Sequence, residues 1–173
     1  RFFGREKVTE KVLDAFSRIC LEPGGSLRLL AILGPSGSGK SSVARAGLLP
    51  GLARISLGGF KAPRVAVLTP GAHPLEELAN ILGHMATDDP LPSGKSDELL
   101  EIMKKPNDQG EWDGLRRIGD MMPGAGQYPL LLLIDQFEEI YSLCEKMIER
   151  SSFIENLLRA ASEPEGRISV VIT

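Results

Sequence analysis

The chain has 173 residues, of which 42% are hydrophobic, and this length and composition suit one globular domain with a buried core. Its 20 basic and 23 acidic residues are interspersed and give a net charge of -3, which argues against a general binder of nucleic acid or of anionic membranes. Two cysteines, Cys20 and Cys144, fit neither a disulfide framework nor a CxxC metal pattern, so a cytoplasmic location is expected. No apolar run is long enough to span a membrane.

Helices and strands alternate through the first half of the sequence. Apolar residues at helical spacing predict amphipathic helices, and short apolar runs predict strands. The run at 27–33 is broken only by Arg28, as expected for a strand buried on both faces of a parallel sheet. A helix that begins at Ser41 is expected to stop before Pro50. The predicted elements are a helix over 5–20, a strand over 27–33, a helix over 41–49, a strand over 64–69 and a helix over 73–85.

The second half begins with a weak pattern over 87–127, where we expect two short helices separated by turns. The run LLLLID at 130–135 predicts the clearest strand of the chain, and a capping-box pattern that begins at Ser152 predicts a helix start. The predicted elements are the strand at 130–135, a helix through about 144, a helix over 153–161 and a strand over 168–172. Strands that alternate with helices predict an α/β domain with a mainly parallel sheet flanked by helices.

The stretch GPSGSGKSS at 34–42 lies between a predicted strand and a predicted helix, and it satisfies G-x-x-x-x-G-K-[ST] in register. Glycines allow backbone N–H groups to converge on an oxyanion, and the following helix adds its positive end. We expect Lys40 to contact the β- and γ-phosphates and the Ser41 hydroxyl to ligate Mg²⁺. A Gly/Ser turn is the alternative interpretation. The predicted phosphate-binding residues are Gly34, Pro35, Ser36, Gly37, Ser38, Gly39, Lys40, Ser41 and Ser42, with Ser36, Ser38 and Ser42 in secondary roles.

A second motif, the acidic stretch LLLLIDQFEE at 130–139, distinguishes ATPases from kinases and GTPases that contain a similar phosphate loop. It delivers Asp135 at the carboxyl end of a strand, where open α/β sheets place their ligands. We expect Asp135 to hold Mg²⁺ through water, opposite Ser41. Glu138 or Glu139 is expected to polarise the attacking water as a general base, and the sequence does not choose between them. The candidate catalytic residues are therefore Lys40, Glu138 and Glu139.

Four segments in succession, RFFGREKVTEKVLDAF, LLAILGPSGSGKSSVARAGLLPGL, RVAVLTPGAHPLEELA and LLLLIDQFEEIYSLCE, closely resemble the nucleotide-binding module of STAND ATPases. These are signal-transduction ATPases with numerous domains, and the branch most similar to this chain is often fused to β-propeller repeats in bacteria. The resemblance implies an AAA-like P-loop NTPase fold, ATP or ADP as ligand, Mg²⁺, and the strand order 5-1-4-3-2. It also implies that Phe3 and Arg5 close the base side of the pocket; the residues alone leave core packing as the alternative.

The same resemblance implies that a fifth strand and helical lid domains lie downstream. The expected domain is therefore one P-loop ATPase domain over 1–173, incomplete at its carboxyl end and part of a larger multidomain protein. Its expected partners are nucleotide, the downstream domains and further copies of itself, with neither nucleic acid nor membrane among them.

Three functions are compatible with these motifs. The first is a Mg²⁺-dependent ATP-binding switch that hydrolyses ATP slowly, and the second is a nucleotide-binding scaffold without turnover. The third is a P-loop kinase, which would need converging arginines at an acceptor site; Arg116 and Arg117 form the only adjacent arginine pair in the sequence. The absence of NKxD and LSGGQ-like motifs disfavours a GTPase and a transporter ATPase.

Overall fold

A computed structural model describes residues 6–21, 27–54, 62–87, 91–164 and 166–173. Across these residues helices and strands alternate, as the sequence predicted. The elements are α1 (Glu6–Leu21), β1 (Leu29–Ala31), α2 (Lys40–Ser42), a π-helical segment (Val43–Leu48), α3 (Leu49–Leu52), β2 (Arg64–Leu68), α4 (Pro74–Ala86), α5 (Ser93–Met103), α6 (Gly114–Met121), β3 (Leu130–Ile134), α7 (Glu139–Ser142), α8 (Met147–Ser162) and β4 (Ile168–Ile172).

The four described strands form one parallel sheet in the order β1-β4-β3-β2. In its centre Leu132 of β3 lies opposite Val170 of β4 on one side and Ala66 of β2 on the other. All five residues of β3 are buried, as expected for a central strand covered on both faces. The predicted α/β fold with a parallel sheet flanked by helices is therefore confirmed, and the observed order agrees with the 1-4-3-2 part of the expected order.

Alternate residues of β3 divide the hydrophobic core into two layers. Leu132 and Ile134 pack in the larger layer, together with apolar residues of α4, α5, α6 and α8. Leu131 and Leu133 point to the other face and pack in a smaller layer, together with Phe16 of α1 and with residues of the helix that follows the glycine-rich loop. Because side chains alternate along a strand, one leucine-rich run supports both layers.

The region that the sequence described least well, 87–127, contains α5 and α6, as expected, and one polar side chain ties both helices to α8. Asn156 of α8 is fully buried, accepts a hydrogen bond from the Leu115 N–H at 2.8 Å, and donates to Met103 O at 3.1 Å and Ser152 O at 2.8 Å. These bonds satisfy a buried amide that would otherwise destabilise the fold.

The first strand differs from its prediction. It spans Leu29–Ala31 only, Ala31 is exposed, and the Leu33 side chain that follows is 86% exposed, so the predicted burial on both faces is wrong. The physical reason is its position, because β1 lies at an edge of the described sheet and pairs there with β4. Helical cover is correspondingly thinner than over β3.

The helix predicted to stop before Pro50 continues to Leu52. Pro50 stands in the first turn of α3, the part of an α-helix in which proline is tolerated. The preceding turn has π-helical spacing, with the Leu49 N–H donating to Ala44 O.

The last two predicted helix boundaries were also wrong. The helix after β3 is a single turn, Glu139–Ser142, and does not reach Cys144. Helix α8 begins at Met147, so Ser152 lies within it; its hydroxyl donates to Glu149 O at 3.0 Å instead of capping a helix start.

Arg28 stabilises the amino end of the sheet. This buried side chain donates from Nε to Ile168 O at 3.1 Å and from Nη2 to Glu163 O at 2.6 Å, just past the end of α8. Its own backbone N–H donates to Ala161 O at 2.9 Å. Arg28 thus donates to Ala161 O, one of the carbonyl groups that α8 leaves without partners at its carboxyl end, and to Glu163 O just beyond the helix. No helix of the described residues is long and apolar enough to cross a membrane.

Candidate nucleotide site

The glycine-rich loop connects β1 to α2, and its backbone favours glycine at two places. Gly37 and Gly39 have φ angles of 75° and 83°, in the left-handed region that residues with a Cβ rarely adopt. A Cβ placed on Gly34 would lie 2.8 Å from Ser38 Oγ, so the Ser38 side chain would have to move. The Ser38 N–H donates to Pro35 O at 3.1 Å and tightens the first turn. The loop therefore has the curved, side-chain-poor backbone that a phosphate group needs.

Lys40 is the first residue of the helical stretch that runs from α2 to Leu52. Its Nζ donates to Gly34 O at 3.1 Å, so the ammonium lies over the loop and joins its two ends. The N–H groups at the start of a helix have no partners within it and create positive potential there. The loop thus combines a cationic side chain with a helix N-terminus.

Asp135 follows β3 immediately, and its side chain is only 8% exposed. Oδ1 accepts from the Thr173 hydroxyl at 2.6 Å, and Oδ2 accepts from Arg45 Nε at 2.8 Å. The Ser41 hydroxyl lies close enough to this carboxylate to lower its pKa. The structure therefore brings together Ser41 and Asp135, the two residues expected to hold the metal, from the two separate motifs.

The surroundings of Asp135 favour its ionised form. Burial raises the pKa of this carboxyl group, but hydrogen bonds from Ser41, Thr173 and Arg45, together with the charge of Arg45, outweigh burial and hold the pKa below its usual value. The site therefore presents a carboxylate near neutral pH.

Arg45 and Thr173 are site residues that the sequence interpretation missed. A signal for Arg45 was present, because it follows Ser41 by about one helical turn and so shares its face of the helix. Thr173 follows β4, and the carboxyl ends of neighbouring parallel strands lie at the same edge of the sheet. The expected strand order placed strand 4 beside strand 3, so the Thr173 hydroxyl could have been expected beside Asp135.

The turn after Asp135 is held to the end of β4 by its backbone. Gln136 is the one described residue other than glycine with a positive φ, 56°, and its N–H donates to Thr173 Oγ1 at 3.3 Å. The Phe137 N–H donates to Thr173 O at 3.1 Å. Glu138 is exposed beyond this turn and Glu139 is half-buried at the start of α7, so both lie near the carboxyl edge of the sheet. Their catalytic roles stay predictions.

The donor atoms present suit Mg²⁺ bound together with a nucleotide. Hydroxyl and carboxylate oxygens are the ligands that Mg²⁺ prefers, and Ser41 and Asp135 supply one of each. The described residues contain no cluster of three or more His, Cys, Asp or Glu side chains that could hold a metal by itself. Mg²⁺ commonly keeps several waters and binds through one or two carboxylates plus phosphate oxygens, so this sparse set fits the ion.

The other predicted ligand residues divide into two groups. Pro35, Ser36 and Ser42 are exposed along the loop and the first helical turn, while Ser38 is half-buried. Phe3 and Arg5, expected at the base side of the pocket, lie outside the described residues.

A parallel α/β sheet with a glycine-rich loop after β1 and an aspartate after β3, which is separated from β1 by β4, is an arrangement found in P-loop NTPases. A family model described as Novel STAND NTPase 1 matches residues 1–173. The chain belongs to this family, which confirms the resemblance to STAND ATPases, and membership makes a nucleotide its expected ligand. Neither a curated protein nor a solved structure is significantly similar to the chain.

Proposed function

We propose that this chain is a Mg²⁺-dependent ATP-binding switch module that hydrolyses ATP slowly. The observation that carries the proposal is the position of Asp135, because the helical segment after the glycine-rich loop contacts this carboxylate through Arg45 at 2.8 Å and the Ser41 hydroxyl lies close enough to lower its pKa. A glycine-rich turn that does not lie near an acidic side chain could simply connect a strand to a helix. The family match supports nucleotide binding, and the position of Asp135 near Ser41 supports the proposed metal-binding part.

Each part of the site has a separate role in this proposal. The backbone of 34–39 binds phosphate oxygens, and the Lys40 ammonium moves from Gly34 O to the β- and γ-phosphates. Ser41 and Asp135 hold Mg²⁺, which neutralises negative charge on the phosphates when it is bound. Glu138 or Glu139 accepts the proton of the attacking water.

Switching requires that ATP and ADP favour different states of the protein. Contacts at the site could transmit the difference between ATP and ADP, because Asp135 and the two residues after it form hydrogen bonds with Thr173 at the end of β4. Any change in the partners of Asp135 therefore acts on the backbone that follows β4. We propose that downstream domains or further copies of the chain read this change in the cytoplasm, with residues 1–173 acting as one ATPase domain.

The kinase alternative has lost its main support. Arg116 lies 3.1 Å from Asp113 and 3.3 Å from Asp120, and Arg117 lies 3.2 Å from Asp113. These arginines are thus neutralised by acids of their own helix or next to it, and no observation on the described residues favours a phosphoryl acceptor site.

Phosphate release from ATP separates a hydrolytic switch from a scaffold that only binds nucleotide. We expect Glu138→Gln or Glu139→Gln to reduce the rate by about 100-fold, since general bases contribute about 10²–10⁴-fold. Glu145→Gln, at an exposed position after α7, is the matched control and should leave the rate unchanged. If neither substitution changes phosphate release while ATP still binds, the hydrolytic part of the proposal is wrong and the scaffold remains.

A further inference from the structure

Arg45 occupies a place that the sequence motifs do not assign. It is carried by the π-helical segment after the glycine-rich loop, and its Nε lies 2.8 Å from Asp135 Oδ2 although the two residues are 90 positions apart. Half of the Arg45 side chain is exposed, whereas the Asp135 side chain is almost fully buried. A half-exposed cation therefore contacts the carboxylate that is expected to hold Mg²⁺.

Three groups approach the Asp135 carboxylate. A carboxylate has about four acceptor positions, and those of Asp135 are approached by the Thr173 hydroxyl, the Ser41 hydroxyl and the Arg45 guanidinium. Metal-bound water that needs more than the one remaining position must therefore compete with these groups. Arg45 is the only cation among them, so it is also the partner that a nearby Mg²⁺ would repel.

Thr173 and Arg45 differ in how easily each can leave. Thr173 is buried, and its backbone N–H donates to Ile134 O at 3.0 Å while its carbonyl accepts from Phe137 N. Arg45 is held less firmly, because half of its side chain is exposed to solvent. Water therefore competes with Asp135 for the arginine, which lowers the contribution of this ion pair to stability. The arginine can therefore leave without disturbing the strand ends.

We propose that Arg45 is a positioning residue that fixes the Asp135 carboxylate through its hydrogen bond before metal arrives, and that Mg²⁺, when it binds with nucleotide, competes with Arg45 for this carboxylate. The inference rests on the proposed function, since it concerns the same site. It assigns to Arg45 a direct effect on the metal dependence of nucleotide binding. Removal of this competing cation should strengthen the effect of Mg²⁺.

The experiment compares the affinity for a fluorescent ATP analogue, mant-ATP, in EDTA with the affinity in saturating Mg²⁺. The measured quantity is the ratio of the two dissociation constants. We expect Arg45→Met to increase this Mg²⁺-dependent tightening about tenfold, the size of one charge-assisted hydrogen bond. Arg45→Lys keeps the charge and should stay within about threefold of the wild-type ratio.

Arg54→Met is the matched control. It removes the same charge just beyond α3, and Arg54 makes no ion pair with any described residue. The wild-type ratio is expected in this variant. A rise as large as that in Arg45→Met would show a general effect of net charge and would overturn the inference.

The effect of Arg45 should also pass through Asp135. In an Asp135→Asn background the carboxylate is gone, so Arg45→Met should no longer change the ratio. A tenfold change that persists there, or an unchanged ratio in the single variant Arg45→Met, overturns the inference while the proposed function stands. A wild-type chain that binds no mant-ATP in either buffer overturns the proposed function and the inference together.

Discussion

Two arginines lie at opposite ends of the sheet and have different partners. One makes contacts that stabilise the fold, and the other makes a contact that a different cation can replace. At the amino end, buried Arg28 bonds to backbone carbonyl groups at the end of α8 and the start of β4. At the carboxyl end, half-exposed Arg45 bonds to the carboxylate of Asp135. Backbone carbonyl groups are fixed by the fold, whereas a carboxylate can accept a different cation.

The difference teaches that burial and the chemistry of the partner, taken together, separate structural from exchangeable contacts. Removing a buried donor leaves carbonyl oxygens without partners, which destabilises the fold. Removing a half-exposed cation leaves a carboxylate that water and Mg²⁺ can reach. We therefore expect substitutions at the amino end to change unfolding, and substitutions at the carboxyl end to change ligand binding.

The largest expected effect is at Lys40. Lys40→Ala should weaken ATP binding at least about 100-fold, because it removes the charge expected on the β- and γ-phosphates. The melting temperature should change little, since the Lys40 ammonium contacts only Gly34 O among the hydrogen bonds described. Isothermal titration calorimetry and thermal unfolding measure the two quantities. Lys95→Ala, which breaks an exposed pair with Glu98, is the control, and equal ATP affinity in both variants would refute the phosphate-binding role.

At the amino end, Arg28→Met should lower the free energy of unfolding by about 2 kcal/mol, because several carbonyl groups lose their donor. Affinity for ATP should stay within about twofold of wild type, since the site lies at the opposite edge. Urea denaturation measures the stability. An unchanged free energy of unfolding would show that Arg28 and Arg45 do not differ as described.

The pH dependence of stability tests the ionisation of Asp135. A folded-state pKa below the usual carboxyl value of about 4 gives stability that is present above that value and is lost as the pH falls through the folded pKa. Wild type should therefore exceed Asp135→Asn by about 1 kcal/mol at pH 7 in EDTA, with the difference decreasing toward pH 3. Urea denaturation across this range measures it. A difference that is constant or grows as the pH falls would contradict the assignment.

The smallest expected effect is on the stability of Arg45→Met in metal-free buffer. Arg45 is half exposed, and Asp135 keeps the Thr173 hydroxyl as a hydrogen-bond donor, so the loss should be about 1 kcal/mol and below that of Arg28→Met. The same denaturation experiment compares the two variants directly. Equal losses would remove the distinction between the two ends of the sheet.

The sequence predicted most of the fold because its strands carry strong apolar patterns. All four strands and their parallel arrangement were expected, and β3 was the clearest because four leucines and an isoleucine precede Asp135. The errors have local physical causes. Pro50 could begin a new helical segment instead of ending one, and Ser152 found a backbone acceptor inside α8. Patterns of three or four residues do not distinguish these cases.

The sequence predicted those parts of the candidate site that belong to recognisable motifs. The glycine-rich loop and Asp135 carry their chemistry in the residue types and in the flanking elements, so their convergence could be expected. Arg45 and Thr173 depend on which strands and turns become neighbours. An arginine on a helix usually lies in solvent, and only the folded chain shows this one against a buried carboxylate.

The central claim is that the glycine-rich loop and Asp135 form one site for nucleotide and Mg²⁺. Its most direct test is calorimetric titration of ATP into the wild-type chain and into Asp135→Asn, each in EDTA and in Mg²⁺. The account predicts one ATP per chain, tighter binding with Mg²⁺ in wild type, and no tightening by Mg²⁺ in Asp135→Asn. Absence of ATP binding in wild type, or full Mg²⁺-dependent tightening in Asp135→Asn, would contradict it.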